Sequence, residues 1–389
     1  VRVSVDQQAG WTPRALARGA VAIVDLDALR HNVAVVHERV GTDVMAVVKA
    51  DAYGHGLVEC ARAAQEAGAT WLGVALPSEA VRLRDAGVTG RVLTWLEVPG
   101  SPFDECVERD IDVTVSAPWS LEAVRVAAAR LGVTARVQLK LDSGLSRNGS
   151  TIADWPALVA AARRAELDGS VVVTGIWTHF ACADVPTHPS VGRQLDQFQQ
   201  ALELAEVAGL RPEVRHAANS AAALAVPAAR YDLVRIGIAM YGLSPGEAIG
   251  SGAELGLRPV MSLRARFASV KRVPSGSGVS YGHHYTTAHE TTLGVVPLGY
   301  ADGIPRNASN TGPLLAAGAE RTVAGRVCMD QVVVDLGDAP AAVGDEVVIF
   351  GSEGPSADVW GAVCGTIGYE IVTRIGPRVP REHLGVSHP

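Results

Sequence analysis

Apolar runs of the chain repeatedly end on residues that can carry charge, donate a hydrogen bond or form a covalent bond. Val44 to Val48 runs directly into Lys49, within Val-Val-Lys-Ala-Asp-Ala-Tyr-Gly-His-Gly. The run at 136–141 carries Lys140 and leads through Asp142 to Arg147. The run at 171–178 ends at His179, the one at 214–217 leads to Asn219 and Ser220, and the one at 233–238 holds Arg235 and Gly237. A solvated loop explains any one of these groups taken singly. The lysine resists that reading most. Flanked by buried groups, its ammonium would be partly desolvated and its pKa lowered, which suits Schiff-base formation with a carbonyl.

Such groups need elements to position them. Eight β-branched apolar runs, near 44–48, 71–76, 91–96, 112–116, 136–141, 171–178, 214–217 and 233–238, alternate with segments of helical period. Leu57, Cys60, Ala61, Ala64 and Ala67 form one such face, and Leu121, Val124, Ala127, Ala128 and Leu131 another. Before the first run, Leu29, Val33, Val36 and Val40 mark a helix with Asp25 or Asp27 as its N-cap. Eight strands alternating with helices over roughly 220 residues match the count and length of a (β/α)8 TIM-like barrel. An open doubly wound sheet fits the same alternation. In a barrel, the chemistry belongs at the C-terminal strand ends, where the polar residues named above fall. From about residue 256 the pattern changes to β-rich runs at Val260–Val270, Thr292–Val296, Arg321–Cys328, Gln331–Leu336 and Glu346–Phe350. Only Ala357–Val363 and Gly368–Arg374 read as helices there. The expected architecture is α/β: an N-terminal barrel over 1–255, then a mostly β domain over 256–389.

Composition sets outer bounds. At about 150 residues per domain, 389 residues give two to three domains. The 48% hydrophobic content supplies real cores, and 19% charged residues are too few for a solvated disordered chain. A net charge of −7, spread without long runs of one sign, argues against nucleic acid or an anionic membrane as partner. The longest apolar stretch, Ala221 to Ala229, contains Pro227 and falls far short of the roughly 20 residues a spanning helix needs. No secretory signal is read at the start, and five scattered cysteines without Cys-x-x-Cys point to the cytoplasm. His283, His284 and His289 have no metal-ligand spacing, so no metal is expected. Gly276-Ser277-Gly278 lacks the third glycine and βαβ setting of a dinucleotide site.

Residues 48–56, Val-Lys-Ala-Asp-Ala-Tyr-Gly-His-Gly, resemble the pyridoxal-phosphate lysine motif of bacterial alanine racemases. The resemblance continues through Leu-Asp-Ser-Gly-Leu-Ser-Arg-Asn-Gly (141–149), Thr-His-Phe (178–180), Ala-Asn-Ser (218–220) and Val-Arg-Ile-Gly-Ile-Ala-Met-Tyr-Gly (234–242). Beyond the change of pattern it resumes at Val-Ser-Tyr-Gly (279–282), Gly-Tyr-Ala-Asp-Gly-Ile-Pro-Arg (299–306), Gly-Arg-Val-Cys-Met-Asp-Gln (325–331) and Gly-Tyr-Glu (368–370). These matches run in order through both expected domains.

What the resemblance implies is specific. Lys49 would hold pyridoxal 5'-phosphate covalently, and the cofactor ring would act as electron sink for the substrate Cα. Racemisation needs proton removal on one face and delivery on the other, so the family uses two bases, here Lys49 and the partner subunit's Tyr281. The partner is a second copy in a homodimer with shared sites, and the substrate is alanine, made into D-alanine for peptidoglycan. A phenol of pKa near 10 is a poor base at neutral pH, so Arg235 and His179 are expected as cationic helpers. Arg235 would also face the pyridine nitrogen, where a guanidinium cannot readily accept a proton. Ser220, Gly237 and Ile238 would bind the phosphate, with Tyr53 and Tyr369 completing that site and Asn219 supporting the loop. Arg147 would bind the substrate carboxylate and the cofactor's phenolic oxygen side. Lys140 matches a lysine that is often carbamylated in the family, though an ordinary buried amine fits equally. Met329 and Asp330 match a loop that reaches the partner's site. Tyr300 would narrow the entrance with Tyr369, and Ile304, where many relatives carry a larger residue, would loosen it. The rivals are a decarboxylase of the same architecture, a non-catalytic pyridoxal-phosphate carrier and a racemase of another small amino acid.

Overall fold

The computed structural model describes residues 11–386. The first strand, β1 (Ala20–Asp25), is followed by a helix, Leu26–Val40. Asp25 Oδ1 caps that helix by accepting from the N–H of Asp27 and Ala28 at 2.9 and 3.0 Å. Gly41 ends it in the left-handed conformation, at φ 66°. Leu29, Val33, Val36 and Val40 are buried along one side, as their spacing requires.

Eight parallel strands then alternate with helices: β2 (Asp43–Val47), β3 (Trp71–Val74), β4 (Arg91–Thr94), β5 (Asp112–Val115), β6 (Ala135–Lys140), β7 (Val171–Trp177), β8 (Val214–His216) and β9 (Leu233–Ile236). They form one sheet in the order β8-β7-β6-β5-β4-β3-β2-β9. Closure is nearly complete. Between β8 and β9 no ladder forms, but Asp232 N–H donates to Arg215 O at 3.1 Å and Arg235 N–H to Ala218 O at 2.9 Å. The expected barrel is therefore the fold, rather than an open doubly wound sheet. Met45, Trp71, Leu93, Trp177, Val214 and Leu233, one from each of six strands, form a buried cluster of their own, as the filled interior of such a barrel demands. The larger core lies between the strands and the surrounding helices.

The second region holds β10 (Met261–Arg266), β11 (Ser269–Val273), β12 (Gly278–Val279), β13 (Tyr285–Thr286), β14 (Thr291–Val296), β15 (Pro313–Ala316), β16 (Ala319–Thr322), β17 (Val332–Gly337), β18 (Glu346–Phe350) and β19 (Arg381–Leu384). A six-stranded sheet runs β16-β15-β18-β10-β1-β19, beside a three-stranded sheet β11-β14-β17 and the pair β12-β13. Two short helices, Ala357–Cys364 and Gly368–Thr373, pack here.

Three readings change. Residues 20–25, assigned by chain order to the region before 256, lie in the second region's sheet. There β1 pairs antiparallel with β10 and parallel with β19. Its first five residues are buried, and strands from far along the chain cover both of its edges. The single run Val260–Val270 breaks at Phe267-Ala268 into β10 and β11, which belong to different sheets. Of Arg321–Cys328, only the first residues are strand. Val323 makes an isolated bridge to Val334, and Gly325, at φ 81°, turns the chain away.

Candidate active site

The C-terminal ends of the barrel strands and the helix Gly368–Thr373 enclose a cavity of about 970 Å³. Lys49, Tyr53, Lys140, Arg147, His179, Asn219, Ser220, Arg235, Gly237, Ile238 and Tyr369 all line it. Tyr281, Tyr300 and Met329 do not.

Lys49 stands where β2 ends. The residues after it, Ala50, Asp51, Ala52 and Tyr53, all adopt φ between 53° and 54°, a left-handed turn without a glycine. L-residues disfavour this conformation by roughly 1–2 kcal/mol each, so the turn is a strained device. Gly56 N–H donates to Asp51 O at 2.9 Å, and Ala50 N–H donates to Glu79 Oε1 at 2.6 Å. The turn brings the Tyr53 ring within 5.9 Å of Lys49 Nζ, and Trp95 lies as close on another side. Burial lowers the Lys49 pKa, helped by the Arg147 and Arg235 cations and opposed by Glu79. The amine that faces the cavity thus gives up its proton more easily than a free lysine does.

Arg235, on β9, is only 4% exposed. Its Nη1 donates to His216 Nδ1 at 2.9 Å, and its Nη2 to His179 Nδ1 at 3.0 Å and to the carbonyls of Thr178 and Ala217 at 2.9 Å. It also lies over the Trp177 ring, 4.8 Å from the centroid. Among the described residues no carboxylate pairs with it. Burial brings its pKa to about 9, still well above neutrality, so the guanidinium stays a cation. A guanidinium only donates, which fixes Nδ1 of both histidines as acceptors and leaves both rings neutral. His216 completes the chain by donating from Nε2 to Gln138 Oε1 at 2.8 Å. The expectation that His179 supplies positive charge is thereby corrected. Burial, with Arg235 and the nearby cations, drives its pKa well below the usual imidazole range.

A second cluster has the form of an anion cradle. Asn219 Oδ1 caps the helix Ser220–Ala225 through the Ala222 N–H at 3.0 Å, a supporting role. Ser220 Oγ accepts from Gly237 N–H at 2.9 Å. That bond occupies the Gly237 donor expected for phosphate. The N–H groups of Ser220 and Ile238, each opening a helical turn, have no partner within their own turns. A Cβ on Gly237 would lie 2.4 Å from the Tyr53 hydroxyl. Only glycine admits that hydroxyl, and Tyr369 lies beside it with ring centroids 6.3 Å apart. Burial raises the pKa of both phenols, keeping them protonated as donors. A lysine amine, an anion cradle and a fixed guanidinium in one cavity fit an aldehyde-bearing phosphate with a ring nitrogen.

Lys140 ends β6 and is 4% exposed, with Nζ 4.4 Å from the Trp177 ring centroid. Burial, then Arg235 and Arg147, bring its pKa to about 7 against the pull of Glu97 and Asp142. Arg147 is exposed at the rim, on a loop fastened by Asp142 Oδ1, which accepts from the N–H of Gly144, Leu145 and Ser146 at 3.0 to 3.1 Å.

Tyr281, Tyr300 and Met329 are 72%, 45% and 53% exposed and lie together on the second region. Tyr300 N–H donates to Cys328 O at 3.0 Å and Ala301 N–H to Met329 O at 2.9 Å. Ser280 Oγ donates to Arg326 O at 2.7 Å and lies 3.2 Å from Cys328 Sγ. These contacts bring the backbone of the three exposed residues together around Cys328. Asp330 is paired with Arg378 at 2.8 Å. Ile304 is 3% exposed within the second region's core, so it does not line an entrance. Among the described residues, no three His, Cys, Asp or Glu side chains gather as a metal site, and no helix is long and apolar enough to cross a membrane.

Sequence reading missed Trp95, Trp177 and His216. Trp177 and His216 end β7 and β8 and stack at 5.5 Å with 7° between planes. Their positions at strand ends were the available signal.

Residues 24–245 match the family model described as alanine racemase, N-terminal domain, and 260–383 match alanine racemase, C-terminal domain. The chain is 59% identical to an alanine racemase of Streptomyces coelicolor, over 94% of this chain and 96% of that protein. It is 45% identical to one of Mycolicibacterium smegmatis, over 96% and 97%. The crystal structure of an alanine racemase from Streptomyces lavendulae superposes with a TM-score of 0.93 at 57% identity, covering 94% of this chain and 97% of the other.

Proposed function

The chain belongs to the alanine racemase family, isomerases of an amino acid, and on that premise we propose that it interconverts L- and D-alanine with pyridoxal phosphate bound at Lys49. The observation that carries the reading is the convergence of Lys49, Arg235 and the Ser220–Ile238 cradle in one cavity. Pyridoxal phosphate, when bound, supplies an electron-withdrawing ring that stabilises the charge left on the substrate Cα. Ser220, Ile238, Tyr53 and Tyr369 would hold its phosphate by donated hydrogen bonds. Arg235 would meet the ring nitrogen and offer it a donor without accepting a proton.

Lys49 Nζ, with its lowered pKa, takes or returns the Cα proton on its own face. The opposite face needs a second base, and this chain's Tyr281 lies exposed outside the cavity. We therefore assign that role to the partner subunit's Tyr281 in a homodimer with shared sites. The same exposed patch would bring the partner's Met329 and the partner's Tyr300 to the entrance, restricting side-chain size. Arg147 binds the substrate carboxylate. Lys140, with a pKa near 7, has enough free amine at neutral pH to take up carbon dioxide as a carbamate that orients Arg147. All five cysteines are free thiols, compatible with a cytoplasmic enzyme making D-alanine for peptidoglycan.

Chiral analysis after incubation with L-alanine, L-serine, L-lysine and L-arginine tests the reading. Conversion of L-alanine to a racemic mixture is expected. Release of carbon dioxide from the basic amino acids, with alanine untouched, would replace it by a decarboxylase.

A further inference from the structure

Glu79 and Arg381 do not line the cavity, yet both bind the backbone that carries Lys49. The left-handed run Ala50–Tyr53 leads through Gly54 to Gly56 and the helix Leu57–Glu66. Right-handed backbone is the natural conformation of these residues, so the turn persists only where its surroundings fix it.

Both ends are fixed from outside. Glu79 Oε1 accepts Ala50 N–H at 2.6 Å, while its Oε2 accepts Ala75 and Leu76 N–H, each at 3.0 Å. The carboxylate is buried and serves three backbone donors. At the far end Arg381 Nε donates to Gly54 O at 2.9 Å. Arg381 Nη1 donates to Gly376 O and Val379 O at 2.6 and 2.8 Å, and Nη2 to Ile375 O. Next to it, His383 Nε2 donates to His55 O at 2.7 Å. The fit leaves no slack. A Cβ on Gly54 would lie 2.6 Å from Val372 O, and one on Gly56 would lie 2.6 Å from His383 Nε2. The two clamps come from different regions: Glu79 from the barrel helix Pro77–Asp85, Arg381 from β19.

We propose that Glu79 and Arg381 are positioning residues that pin the two ends of the left-handed turn, keeping Lys49 Nζ inside the cavity. Relaxation of the turn toward a right-handed one would rotate Lys49 away from the strand end. The proposal rests on the reading of Lys49 as the cofactor lysine. Glu79 has a second effect, since its charge favours the protonated form of Lys49.

The test compares full-length holoenzyme with the isosteric variant Glu79→Gln and the charge-conserving variant Arg381→Lys. Amide hydrogen exchange over 50–56 should rise about tenfold or more in Glu79→Gln, where an amide N–H₂ must face backbone donors, with 135–140 unchanged. Arg381→Lys should show a smaller rise, because one ammonium can still reach Gly54 O. In both, kcat falls while KM stays nearly constant. The limb of the kcat–pH profile due to Lys49 moves to lower pH in Glu79→Gln only. Unchanged exchange over 50–56 in the folded variants, or equal loosening of 135–140, overturns the proposal. So does a wild-type turn that exchanges freely while Leu57–Glu66 is protected, an outcome independent of how the variants fold. Wild-type enzyme that borohydride does not label at Lys49 refutes the proposed function instead.

Discussion

Arg235 Nη2 lies 3.0 Å from His179 Nδ1, and that single bond removes the imidazole from the list of cations in the cavity. Four neutral acceptors, two rings and two carbonyls, hold the guanidinium, with no carboxylate among the described residues paired to it. Arg235→Glu reverses the charge at the centre of this network. It should lower racemisation by about a hundredfold or more, because a buried charge loses its partners. It should also raise the fraction of turnovers that end in transamination, read as pyruvate formed per alanine racemised. Equal partitioning in variant and wild type would remove Arg235 from control of the ring nitrogen.

The placement of Tyr281 outside its own chain's cavity gives a test by subunit mixing. Lys49→Ala and Tyr281→Phe homodimers should each be inactive or nearly so. After random exchange, half the dimers carry one intact site of two, so activity should return to about 25% of wild type. Exchange confirmed by mass spectrometry without recovery would mean that each chain completes its own site.

Gly237 meets the Tyr53 hydroxyl where a Cβ would stand 2.4 Å from it. Gly237→Ala should weaken retention of pyridoxal phosphate about tenfold, measured by dialysis and absorbance. Tyr53→Phe removes the obstructing oxygen, so the double variant should lose less than the sum of the single ones. Additive losses would show that the two residues do not share the space.

Lys140 makes stability depend on pH. Its folded pKa of about 7 lies below the model-peptide value of 10.5. The unfolded chain therefore binds more protons between those values, and the Lys140 contribution to stability rises with pH across that window. Below pH 7 the buried ammonium carries its full penalty, of order a few kcal/mol. In carbon-dioxide-free buffer, Lys140→Met should raise the melting temperature at pH 6.5, and the advantage should shrink toward pH 10. A pH-independent difference would place the ammonium in water.

The chemistry-bearing strand ends were legible because local pattern sets them. An apolar run that stops at Lys49, or at His179, needs no knowledge of the rest of the chain, and an alternation of eight such runs leaves few architectures. Asp25 could be read as a cap because capping acts across a few residues. Other features had no local signature. Ala-Asp-Ala-Tyr at 50–53 has ordinary right-handed preferences, yet it is left-handed in the fold, where Glu79 and Arg381 bind its two ends from 29 and 327 residues away. The same holds for β1, whose partners β10 and β19 come from the far end of the chain. The protonation of His179 likewise followed from the direction in which Arg235 donates. Sequence alone determined which residues could do chemistry and which strands present them. Tertiary structure decided their charge states, the hand of the turn at Lys49 and the exposure of Tyr281, because each depends on contacts between groups that chain order keeps apart.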